Sequence, residues 1–187
     1  MNRRETVMEN FTFDDGIEPG GLRSRNEIKV LVCYLLAGVD ERITRSQLCE
    51  IALDKGLANY FEVNQAVSEL IENGAVVSDF IECEEYLSVT DKGRSSSKML
   101  ESQLPRSVRE KAINAAIKML TLAKRKRENK VEVERLEDGG FHVTFTMEEM
   151  MKLTIYVADE MQVETVKNNF YEDPIKLYSG IIASLTV

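Results

Sequence analysis

Asn64, Gln65 and Ser68 are the residues whose types and spacing best suit a specific chemistry, the reading of base edges in DNA. Amide side chains of Asn and Gln can pair with adenine through two hydrogen bonds at once, and a serine hydroxyl serves any base. Intervals of one and four put all three on one side of a helix. Candidate phosphate grips lie nearby in Arg45 and Ser46, in Lys92 and Arg94, and in Arg23 or Arg25. Asn59 and Phe61 open the same helix. Phe61 falls on its outer side, where a ring would meet a thymine methyl or a partner protein unless helix one, the N-terminal arm or a partner subunit covers it.

Other reactive residue types are sparse. The single histidine, His142, has the outward parity of a strand whose inward residues are Phe141, Val143 and Phe145. Cys33, Cys49 and Cys83 are far apart and lack the spacing of zinc ligands. No serine or cysteine has a recognisable base, and no glycine-rich loop links a strand to a helix. Glu148-Glu149 and Asp159-Glu160 read as turn and helix-start residues. The expectation is a protein that is not an enzyme and has no metal or cofactor.

These residues must be positioned by ordered elements. The chain has 187 residues, 43 % of them hydrophobic, enough for a packed core in one or two domains. No apolar run approaches the ~20 residues of a membrane helix, and residues 1–10 lack a signal-like core. An odd number of scattered cysteines suits a reducing, cytoplasmic setting. The net charge of −8 is uneven: −8 over residues 1–104, +7 over 105–130 and −7 over 131–187. Such a chain is not a bulk polyanion binder, so any DNA contact must come from a local patch.

Residues 1–22 read as a flexible arm. Three capping pairs follow, Ser24 with Glu27, Thr44 with Gln47, and Asn59 with Glu62, each opening a helix. The first helix buries Ile28, Leu31, Val32, Leu35 and Leu36, and the third buries Tyr60, Val63, Ala66, Val67, Leu70 and Ile71. Lys55-Gly56 and Asn73-Gly74 end the second and third. Ala75–Ile81 and Tyr86–Val89 form a hairpin with an acidic tip at Glu82–Glu85. A short helix occupies the stretch from Gly93 to Gln103. A long one runs from Pro105 to about Asn129, with an apolar stripe at Val108, Ala112, Ala115, Met119, Leu120 and Ala123 and a Lys124–Arg127 basic end. The pattern then alternates through three strands with a turn at Asp138-Gly139-Gly140, and two helices follow. The predicted class is α+β. A winged helix-turn-helix spans 23–104, a linking helix 105–130, and a three-stranded antiparallel sheet covered by two helices 131–187.

The runs Ile43-Thr44-Arg45-Ser46-Gln47-Leu48, Asn59-Tyr60-Phe61 and Gln65–Gly74 resemble an uncharacterised bacterial winged-helix family, domain of unknown function 4364, found mainly in Gram-positive anaerobes. The resemblance extends from about Arg25 to Leu185. It implies a winged-helix transcription regulator with a C-terminal α+β extension, and no further biochemistry.

Two functions compete. In the first, the protein is a homodimeric DNA-binding regulator, paired through the long helix, with an unidentified small-molecule effector as a further option. In the second, the winged helix docks a protein. Three glutamates on the third helix and Glu82, Glu84 and Glu85 on the wing would repel phosphates and favour the second.

Overall fold

The computed structural model describes residues 21–22, 24–39, 41–54 and 56–186. Residues 1–20 of the flexible arm expected over 1–22, the phosphate grip at Arg23 and the role of Lys55 as a helix stop lie outside the described residues, whereas Leu22, at the end of that arm, is buried and donates its N–H to Leu57 O at 2.8 Å. The chain divides into two compact units between Leu120 and Thr121. Both are mixtures of helices with a three-stranded antiparallel sheet. No described helix is long and apolar enough to cross a membrane.

The first unit runs α1 (Arg25–Gly38), β1 (Ile43–Thr44), α2 (Arg45–Asp54), α3 (Tyr60–Glu72), β2 (Val76–Ile81), β3 (Glu84–Val89) and α4 (Asp91–Leu100). A 3-10 turn at Glu101–Gln103 leads into α5 (Arg106–Glu128), whose residues from Thr121 onward belong to the second unit. The sheet order is β1-β3-β2, with Ile43 opposite Leu87 and Val76 opposite Val89. The two-residue β1 is too short to show alternation and is not foreseen. Its apolar Ile43 closes the sheet edge over the core.

The core gathers Ile28, Leu31 and Leu35 of α1, Leu48 and Ile51 of α2, Val63, Val67 and Leu70 of α3, and Leu87 of β3. Each such side chain contributes about 1.5–3 kcal/mol by leaving water. Val108, Ala112, Ala115, Ala116 and Leu120 of α5 join the same core. As far as Leu120, the apolar stripe expected to face a second copy packs on this core, where small alanines let the helix approach closely.

The caps differ from expectation in two of three cases. At α2 the box closes both ways: Thr44 N donates to Gln47 Oε1 at 3.0 Å, and Gln47 N donates to Thr44 Oγ1 at 3.1 Å. At α1 the Ser24 side chain makes no cap hydrogen bond. At α3 Asn59 accepts from Phe61 N at 2.8 Å, but Glu62 turns away toward α1. Thr90, expected to stop a strand, also caps α4 by accepting from Gly93 N. The β2–β3 tip is the pair Glu82 and Cys83, both at positive φ (49° and 68°), the twist a two-residue hairpin turn requires.

The second unit holds β4 (Asn129–Arg135), β5 (Phe141–Met147) and β6 (Met151–Val157) in that sheet order, then α6 (Glu160–Glu172) and α7 (Pro174–Leu185). Gly139 and Gly140 at positive φ make the expected turn, and His142 stands between Glu134 and Tyr156 in the sheet register. Val143, Phe145, Met147, Val157, Val163 and Phe170 form its core, the Phe145 and Phe170 rings 4.8 Å apart. Asp159 caps α6 and Asp173 caps α7. Of the two helices expected to cover the sheet, α6 makes the larger contact. α7 leans on α6 and reaches the core through Leu177 and Tyr178, leaving Ile175, Ile182 and Leu185 exposed.

Candidate functional site

The α2 N-terminus, the outer side of α3 and the β2–β3 hairpin meet around Arg45. Its Nε donates to Glu85 Oε2 at 2.5 Å and its Nη2 to Glu85 Oε1 at 3.0 Å, a two-point clamp. Its Nη1 lies 3.3 Å from Ser68 Oγ and 3.4 Å from Asn64 O. The capping box that starts α2 presents Arg45 here, and the pairing of β3 with β1 brings Glu85 to it. Arg45 hydrogen-bonding holds the Glu85 carboxyl below the usual glutamate range, against the opposing effect of partial burial.

The three candidate base readers are each engaged. Asn64 Nδ2 donates to Tyr60 O at 3.0 Å and to Cys49 Sγ at 3.3 Å, so the amide is turned inward. Gln65 Nε2 donates to Glu69 Oε1 at 3.1 Å. Ser68 Oγ donates to Asn64 O at 3.1 Å. Asn59 caps its own helix, whereas Ser46 is exposed at the start of α2.

The expected phosphate grips are also committed. Arg25 faces Glu62 at 3.5 Å and Glu69 at 3.9 Å. Lys29 pairs with Glu69 and, by hydrogen bonding, lowers its pKa. Glu62, expected on the outer side of α3, is instead only 8 % exposed, drawn in by Arg25. Lys92 Nζ donates to Asn73 O at the end of α3, and Arg94 Nη1 donates to Ala37 O at 3.2 Å in the last turn of α1. Both cations sit where helix carbonyls lack partners.

The same face is apolar at both ends. Phe61 is 77 % exposed, and no described residue covers it. Tyr60, expected in the core, is 47 % exposed and meets Phe61 edge to face at 5.7 Å. Tyr60 occupies the first helical position, before the inward face of α3 is established. Phe80 is 75 % exposed and stands opposite Glu85 in the β2–β3 register, so it shares the sheet face that carries the Arg45 clamp. Phe80 is the functional candidate that sequence reasoning missed. Its parity matches buried Val76, so alternation marks it as core, but the hairpin outruns the helices that would cover it.

Asp79, Glu82 and Glu84 are exposed around the hairpin end. From Gly56 through Asp91 the chain has no lysine, arginine or histidine. All three thiols are free; burial raises Cys33 to about 11 and also raises Cys49, while Cys83 is exposed at the hairpin tip. Among the described residues no three His, Cys, Asp or Glu side chains gather as a metal site.

No curated protein and no solved structure matches this chain. A family model does match, over residues 28–185, and so covers both units and the whole Arg45 face. The chain belongs to the family described as domain of unknown function DUF4364.

Proposed function

We propose that the first unit is a winged helix-turn-helix that docks a protein partner on α3 and the β2–β3 hairpin. The observation that carries this reading is a contrast of charge and exposure. The helix and hairpin contain no basic residue from Gly56 through Asp91, yet they hold Phe61 and Phe80 about three-quarters exposed. DNA presents one negative charge per ~1.7 Å of its axis, and affinity depends on cations that neutralise it. Exposed rings bordered by polar groups instead mark protein interaction sites. A partner with apolar pockets and a basic rim suits this face, the rim opposing Asp79, Glu82 and Glu84. Three free thiols suit the cytoplasm. The reading includes no catalytic step.

One observation favours DNA as a second reading. Glu62 and Glu69 are already neutralised by Arg25 and Lys29, which removes two of the expected repulsions. Arg45 would then exchange Glu85 for a phosphate, with Ser46, Lys92 and Arg94 flanking it.

Photoreactive residues placed at positions 61 and 80 test the first reading in cells. One discrete protein adduct, lost when the other ring is changed to Asp, supports it. In parallel, a labelled random-sequence duplex is titrated with the protein at low salt. Anisotropy that rises and collapses steeply with salt, without a protein adduct, sinks the docking reading in favour of DNA.

A further inference from the structure

The second unit presents two sheet edges of unlike character. β4 carries four charged side chains in seven residues, Lys130, Glu132, Glu134 and Arg135. Charges of this kind guard an edge against pairing. Self-pairing of β4 about its centre would also set Glu132 against its own copy. β6 carries only Lys152 and, among the described residues, pairs with β5 alone.

Beside β6 lies an open groove of about 1160 Å³, lined by Leu153 and Ile155 of the strand, Val166 and Phe170 of α6, and Ile181 and Leu185 of α7. α7 has one charged side chain, Lys176, in twelve residues. Ile175, Ile182 and Leu185 are nonetheless exposed, Leu185 by 76 %. A helix apolar on several sides belongs in an interior. α6 supplies only part of one here.

We propose that β6 pairs antiparallel with β6 of a second copy of this chain, making one six-stranded sheet. The occupant is a second copy because the strand complements itself. In the register that sets Thr154 against Thr154, Leu153 meets Ile155 and Met151 meets Val157, so every inward pair is apolar. Outward, Lys152 stands opposite Tyr156, an uncharged residue. No like charges oppose one another. A two-fold axis normal to the sheet keeps both grooves and both α7 helices on one face, so each copy covers apolar surface of the other. The dimer contact thus lies in the second unit, not along α5.

Thr154 is exposed and sits on the axis, so its substitution tests the contact with little effect on either core. Light scattering on the full chain should give twice the 21.3 kDa chain mass for the wild type, and the single mass for Thr154→Glu and for Thr154→Lys. Mixing the two variants should restore the doubled mass, because opposite charges then face each other. A monomeric wild type overturns the proposal, as does a doubled mass in both variants. In a Cys83→Ser background, Thr154→Cys should also form a covalent dimer on mild oxidation, since directly opposed Cα atoms on antiparallel strands lie ~4.5–5.5 Å apart. Failure of that cross-link in a folded protein equally refutes the register.

Discussion

Arg45 and Glu85 stand forty residues apart in the chain, yet the guanidinium meets the carboxylate at two points, 2.5 and 3.0 Å, fastening the hairpin to the start of α2. Both side chains are largely shielded, and the pair is worth on the order of 1 kcal/mol. Glu85 has its pKa held below the ordinary 4.5, chiefly by Arg45. A depressed carboxylate contributes its stability above the unfolded value, and the contribution disappears as pH falls through the folded value. Urea unfolding should therefore show Glu85→Gln less stable than wild type at pH 7 and by a smaller margin at pH 3. An equal difference at both pH values would mean that the ionised pair contributes nothing.

Gly93 has little room for a methyl group. A Cβ there would lie 2.2 Å from Ala75 O, which already accepts from Thr90 N and Thr90 Oγ1. Neither the carbonyl nor the cap can retreat without losing a bond. Gly93→Ala should destabilise by roughly 1–3 kcal/mol, the range for overpacking, although alanine favours helices elsewhere. Thermal unfolding that leaves the midpoint unchanged would show that α4 shifts freely.

Capping residues separate what pattern alone can tell. Gln47→Ala removes one half of a closed box and should cost about 1 kcal/mol. Ser24→Ala should be nearly neutral, since the hydroxyl makes no cap bond. Denaturant midpoints for the two variants check both, and equal losses would contradict the difference in geometry.

That contrast shows where the residues were legible. Apart from β1, element order follows from local periodicity, which depends on near neighbours, as do the Gly139-Gly140 turn and the α3 core stripe from Val63 to Leu70. The fate of a polar side chain depends on what arrives from elsewhere. Glu62 satisfies a capping pattern, but Arg25 on another helix draws it inward. Arg45 reads as a phosphate grip until β3 delivers Glu85. The α5 stripe is amphipathic whether its cover is a second copy or its own chain. Phe80 has the parity of a core residue, and only the reach of the hairpin past the helices exposes it. The position of Arg45 beside Asn64 and Ser68 was readable, whereas its engagement was not.

Thiol reactivity should divide the cysteines sharply. Thiolate is the reacting form, and burial raises Cys33 to about 11 and Cys49 in the same direction. Cys83 is exposed at the hairpin tip. A thiol-specific reagent at pH 8 should modify Cys83 promptly and the other two only on the timescale of opening. Cys83→Ser should abolish the fast phase, and a fast phase that persists would show that helix α1 or α2 opens readily.

Phe61 and Phe80 should behave as no core phenylalanine does. Replacing a buried ring such as Phe145 by Ala forfeits its burial and leaves a cavity, costing about 3–5 kcal/mol. Phe61 and Phe80 touch water over most of their surface, so Phe61→Ser and Phe80→Ser should each stay within ~0.5 kcal/mol of wild type. Their removal should raise solubility and abolish capture of the partner at the opposite ring. If either change instead destabilises the first unit by the amount expected for a core ring, the ring is covered in solution. The face would then owe its exposed apolar surface to incomplete packing, and the docking role would pass to the hairpin carboxylates alone.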